Sequence, residues 1–249
     1  MDKEKPLEMR VRETAPPKPR RVYKSVSFAV DDAGLFAVRL DGKPALTPLR
    51  TPLASKARAL IEAVAAEWDA QDPHVDPETM PLTRLLATEI DRIAPQRQAV
   101  VDSLLTFIDA DSICYRAAHP ADLRERQRAS WQTIADWLLR EHDIALTSTE
   151  GLMPATQAPD TAPKMRKVLE RLNDAELNGF QAAASLTNSL ALAFALVHKN
   201  VTAADCFAAA FLDELYQAEK WGEDTQAHTR RQRIAGDLNA IERYLALSI

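Results

Sequence analysis

Glycine and cysteine are scarce: the 249 residues hold six glycines and two cysteines. Few positions can therefore take positive φ without strain, which argues against Gly-rich phosphate cradles and turn-dense β architectures. No Gly-x-Gly-x-x-Gly occurs, and the one Gly-Lys pair, in Asp41-Gly42-Lys43-Pro44, lacks the P-loop glycine and the following Ser or Thr. No serine has glycines two residues away on both sides, so a Gly-x-Ser-x-Gly elbow is absent. Cys114 and Cys206 form no Cys-x-x-Cys, and the five histidines include no His-x-x-x-His pair. This pattern excludes the usual zinc-ligand spacings and fits a reducing compartment. Cys114 and His119 lie five residues apart around an irregular stretch with nothing to orient the imidazole, so they read as a small buried thiol and a surface histidine. No metal and no cofactor is expected.

Long apolar runs are equally rare. Leu177 to Val197 carries no charge and is long enough to cross a bilayer. Asn178, Gln181, Ser185, Thr187, Asn188 and Ser189 make it too polar for a lone lipid-facing helix, and a core helix is the better reading. No apolar signal core opens the chain.

What is present is a mildly acidic, ordinary globular composition, 46% hydrophobic and 27% charged, with net charge -5. Residues 1–24 hold eight basic and four acidic side chains, a net of +4 that leaves -9 for the rest of a chain whose total is -5. An acidic body lacks the clustered Lys and Arg needed to neutralise phosphates, so nucleic acid is not an expected partner. Residues 1–20, with Pro16-Pro17-Lys18-Pro19, read as a disordered basic tail.

Val22, Val26, Phe28 and Val30 alternate as in a strand, Leu35–Leu40 forms a second run, and Asp41-Gly42 suits a hairpin turn. Ala45–Thr47 can pair back. Such a meander needs a helix on one face. The next segment supplies it: from Ser55 as N-cap, Leu60, Ile61, Val64 and Trp68 recur at helical spacing. A second helix carries Leu82, Leu85, Leu86, Ile90 and Ile93 behind Pro81. Beyond Pro95 all patterns are helical, including one helix over 174–199 and another from the Thr202/Asp205 cap to Trp221, where Gly222 stops it. The last helix runs from about Thr225. The expected fold is an α+β N-terminal domain (residues 21–94, a small antiparallel sheet plus helices) followed by a mainly α-helical C-terminal domain (residues 95–249).

Two features stand out as candidate binding elements. Glu67-Trp68-Asp69 ends the first helix, where Trp68 continues the apolar stripe. A fully buried Trp68 would lose about 3–5 kcal/mol on truncation to Ala. At Trp221-Gly222-Glu223-Asp224, the acids can cap and charge the following helix, while a Trp and two carboxylates at an exposed corner also suit protein recognition.

The ordered set Leu40-Asp41-Gly42-Lys43, Thr47-Pro48-Leu49-Arg50-Thr51-Pro52-Leu53, Glu67-Trp68-Asp69-Ala70-Gln71, Met80-Pro81-Leu82-Thr83-Arg84, Tyr115-Arg116-Ala117 and Trp221-Gly222-Glu223-Asp224 resembles one family. It is the assembly chaperone of the F₁ sector of ATP synthase that attends the α subunit, found in mitochondria and α-proteobacteria. The resemblance runs from about Val22 to Arg243. It implies a non-catalytic protein, not an enzyme, that holds free α subunit against aggregation until the β subunit takes over. The matched positions of most interest fall on Trp68 and Glu223, with Trp221 and Asp224 beside the latter and Arg84 closing the Met-Pro-Leu-Thr-Arg block. The N-terminus does not resemble a targeting sequence, which favours a protein of the bacterial cytoplasm, or of the mitochondrial matrix only if such a sequence has been removed; a monomer is expected. A general holdase on the same scaffold, and a hydrolase with a carboxylate site assembled from distant segments, remain open as alternatives.

Overall fold

The computed structural model describes residues 18–151 and 155–249. The expected tail lies outside the described residues except for residues 18–20. These run against the 72–76 segment: Val75 N donates to Pro19 O at 2.8 Å and Arg20 bridges to His74.

The N-terminal sheet is built around one hairpin. Strand β1 (Val26–Val30) pairs antiparallel with β2 (Phe36–Leu40), placing Val26 opposite Leu40 and Phe28 opposite Val38. Asp41 (φ 48°) and Gly42 (φ 78°) turn the chain with two successive positive φ values, the geometry that an Asp-Gly pair favours. Two short strands, β3 (Lys43–Pro44) and β4 (Ala54–Ser55), share the other edge of β2. Val22 does not join the sheet and is exposed. Ser55 belongs to β4, and helix α1 (Arg58–Asp69) begins after Ala57. Leu60, Ile61 and Val64 of α1 are fully buried over the sheet, at about 1.5–3 kcal/mol of hydrophobic stabilisation each.

Helix α2 (Pro81–Thr88) starts with proline at its first position, where the missing N–H costs nothing, and runs into a widened π turn over Glu89–Ile93. The helical part follows with α3 (Arg97–Leu105), the long α4 (Ala121–His142) and α5 (Thr161–Leu169). Two two-residue strands between them, β5 (Tyr115–Arg116) and β6 (Thr149–Glu150), pair in parallel.

The single helix expected over 174–199 is two, α6 (Asp174–Thr187) and α7 (Leu190–Val197), packed against each other. Asn188 takes a left-handed conformation (φ 52°), and the Ser189 hydroxyl caps α7 by accepting from Leu192 N at 3.0 Å. The buried Asp111 carboxylate accepts from Ala191 N at 2.9 Å, so an acid meets the positive end of α7. Among the described residues no helix is long and apolar enough to cross a membrane. The helix expected over 202–221 is likewise interrupted at Phe211, giving α8 (Ala203–Ala210) and α9 (Leu212–Trp221).

The last helix, α10 (Thr225–Leu247), ties the molecule together. Leu238 and Ile241 enter the large helical core, while Tyr244, Leu245 and Leu247 reach the core under the sheet. Gly179 on α6 allows the close approach, because a Cβ there would lie 2.7 Å from Leu245. Tyr244 donates to the Glu89 carboxylate, and burial of Glu89 holds its pKa above the usual carboxylate range against that hydrogen bond.

Candidate functional site

Two surface features collect the residues singled out by the sequence. The first is a groove of about 670 Å³ between α1, α2 and the loop after β3. Its walls draw on three of the six sequence blocks, through Thr47 and Pro48, Trp68, and Met80, Thr83 and Arg84.

Each wall is fixed by a carboxylate. Asp91, in the π turn, accepts from Thr47 Oγ1 at 2.7 Å and from Leu49 N at 3.0 Å, pinning the loop from Thr47 to Leu53. Thr47 Oγ1 in turn accepts from Thr51 N at 3.1 Å, and Arg50 (φ 67°) completes the tight bend. Glu67 reaches across to the start of α2, where its oxygens accept from Leu82 N, Thr83 N and Thr83 Oγ1 at 2.7–2.8 Å. A side chain from one helix thus supplies the cap that Pro81 and Met80 cannot. The acids flanking Trp68 therefore have structural partners: Asp69 pairs with Arg21 at 3.2 Å.

Trp68 is half-buried rather than fully buried. Its ring meets Tyr23 edge-on at 5.8 Å and packs on the core under the sheet, and its outer part lines the groove. Truncation to Ala accordingly removes less apolar contact than a fully buried Trp would lose. Arg84 also lines the groove, exposed, with Nη2 3.1 Å from Asp237 Oδ1 on α10. The structure thus brings Trp68 and Arg84 into one groove. Sequence reasoning missed Leu46, Val75, Ala87, Asp91 and Arg92, which also line it. A signal existed for the last helical stretch: Thr88, Asp91 and Arg92 repeat at three- and four-residue steps as a polar-edged face beside Ile90 and Ile93.

The second feature is the corner between α9 and α10. Gly222 (φ 92°, ψ 164°) breaks α9 in a conformation that L side chains rarely adopt. Asp224 then caps α10, its Oδ1 accepting from Ala227 N at 2.8 Å. Glu223 Oε1 is held by His228 Nδ1 at 2.9 Å and by Arg231 Nη2 at 2.6 Å, contacts that keep its carboxyl below the usual range. Arg231 is only 5% exposed and is also paired with Glu214 at 3.3 Å. Both acids of the corner thus have partners within the chain while staying exposed, and Trp221 beside them is 77% exposed.

Cysteine chemistry has no support in the geometry. Burial pushes both thiols, Cys114 and Cys206, up to about 12, with a nearby acid adding to the effect in each case (Asp111 and Asp205). Among the described residues no group of three or more His, Cys, Asp or Glu could hold a metal ion.

This architecture has counterparts among known proteins. The ATP12 chaperone protein family matches residues 20–139. The mitochondrial protein atp12 of Schizosaccharomyces pombe is 23% identical over 226 residues, spanning 85% of this chain and 77% of the relative. Among solved structures, Atp12 from Paracoccus denitrificans superposes with a TM-score of 0.85 at 32% identity, covering 93% of this chain and 99% of that one. A candidate chaperone from Agrobacterium tumefaciens gives a TM-score of 0.86 at 37% identity, over 92% of this chain and 85% of its own. With a family match over residues 20–139 and solved relatives at 32% and 37% identity covering more than nine-tenths of its length, the chain belongs to the ATP12 chaperone family.

Proposed function

We propose that this chain is an assembly chaperone of ATP synthase that binds the free α subunit of the F₁ sector and keeps it soluble until the β subunit takes its place. It acts by binding, not by catalysis, as a monomer in the bacterial cytoplasm. The observation that supports this reading is membership of the ATP12 chaperone family together with a likeness to Paracoccus denitrificans Atp12 over 93% of the chain. An unassembled subunit exposes an apolar surface otherwise buried against its neighbours, and such patches aggregate. Its holder must bind well enough to compete with aggregation and weakly enough to yield to the final partner.

Trp221 is the anchor at the α9–α10 corner. A tryptophan offers a large rigid contact area, and the ion pairs of Glu223 hold the backbone that presents it. Glu223 and Asp224 contribute through this geometry and through their charge on the rim.

Co-expression with the α and β subunits separately tests the reading. Soluble α should rise and soluble β should not. Trp221→Ala should lose most of the gain while its melting temperature stays within about 1 °C of the parent, as expected for an exposed position. Equal rescue of α, β and unrelated aggregating proteins would instead identify a general holdase.

A further inference from the structure

The groove between α1 and α2 has a ligand preference written in its charges. We propose that it receives an acidic, aliphatic peptide segment of the client, with aliphatic side chains against its floor and a carboxylate on Arg92. The inference rests on the client-holding reading given above, and it names the chemistry that one site of that holder takes.

The lining is predominantly apolar, with Leu46, Pro48, Val75, Met80 and Ala87 facing the space. Leu46 is 40% exposed at its edge, and Leu49, on the same loop, is 71% exposed. Both leucines are held outward by a loop whose backbone is pinned to Asp91, so the apolar edge is imposed by the fold rather than left by loose packing. A second hollow of about 350 Å³ adjoins the first, sharing Arg84 and Thr88 and adding Pro81, Leu85, Ala182 and Leu186. Together they offer room for several consecutive side chains.

Three charged residues line the main groove, Arg84, Asp91 and Arg92. Asp91 already accepts from Thr47 and Leu49. Arg84 is held by Asp237. Arg92 is exposed and makes no side-chain hydrogen bond or ion pair among the described residues. An incoming carboxylate therefore finds an available cation. An incoming Lys or Arg finds no carboxylate except by releasing the loop or the α2–α10 tie. The polarity runs opposite to the molecule as a whole, whose net charge is -5. Because both walls are fixed before binding, little ordering is needed on the chaperone side.

The test uses the full chain with a photo-crosslinking residue at position 87, mixed with free α subunit, followed by peptide mapping of the adduct. In parallel, Arg92→Glu and the groove-filling Ala87→Trp are compared with Glu62→Lys, an exposed change elsewhere on α1. The expected result is a crosslinked α segment with Asp or Glu beside aliphatic residues. Arg92→Glu should bind α about tenfold more weakly without a change in melting temperature, and Glu62→Lys should bind as the parent does. The proposal is overturned if the parent captures α but position 87 yields no adduct, if the mapped segment is basic, or if Arg92→Glu binds like the parent. Failure of the parent to capture α at all would remove the client-holding reading and this inference together, a distinct result. A misfolded Ala87→Trp leaves the decision to Arg92→Glu.

Discussion

His142 and His198 face each other with ring centroids 4.9 Å apart inside a box completed by Trp137 and Phe194. Burial, and then the neighbouring His198, hold the His142 imidazole below the ordinary histidine value. In the unfolded chain the same ring takes its proton near pH 6.5, so below that pH the unfolded state binds more protons than the folded one. The stability tied to His142 is therefore complete above about pH 6.5 and is lost as the pH falls through the lower folded value. The melting temperature should drop between pH 7.5 and pH 5.5, and His142→Phe, which keeps a ring in the box, should flatten that drop. An identical slope in the variant would show that other groups carry it. Glu223 behaves in the opposite structural sense: its value is lowered because His228 and Arg231 already serve its charged form.

At the scale of elements, the groove depends on how α2 is started. Glu67 does not belong to α2, yet its carboxylate satisfies two N–H groups of the first turn and the Thr83 hydroxyl. Glu67→Ala should cost about 1–2 kcal/mol, the upper range for a lost cap, read as a lower urea midpoint with unchanged slope. Glu67→Gln, which keeps one acceptor, should recover part of it. If Glu67→Ala unfolds at the parent midpoint, the cap contributes nothing. The sequence announced some elements through local chemistry: Asp41-Gly42 is a turn because of its own backbone preference, Pro81 opens α2, and Thr202 with Asp205 caps α8. It was silent where partners are distant. The break at Asn188 is reinforced by Asp111 meeting the start of α7, some eighty residues away, a partner that the alanine-rich run does not show in isolation. The pairing of β5 with β6 has the same origin, since two residues per strand leave no pattern to read. The groove was half legible. Trp68 and Arg84 lay in recognisable blocks, but Asp91 reveals its role only when Thr47, forty-four positions earlier, is seen to donate to it.

The whole molecule joins a sheet-and-helix part and a helical body through α10, whose middle enters the helical core while its last turn reaches the core under the sheet. The two proposed binding surfaces use different elements of this frame: a groove built on α1 and α2, and a corner that opens α10. An acidic body with local apolar openings is suited to fast, reversible contact with a mixed-charge client rather than to permanent assembly. The proposed role is selective, transferable holding of α. The most direct measurement follows light scattering as purified α subunit is diluted from denaturant with an equimolar amount of this chain, then with β subunit added. Scattering should stay low before β is added, and the chain should leave α for the α–β complex afterwards. Aggregation of α at the rate seen without the chain, or equal protection of β in the mirror experiment, would contradict the account.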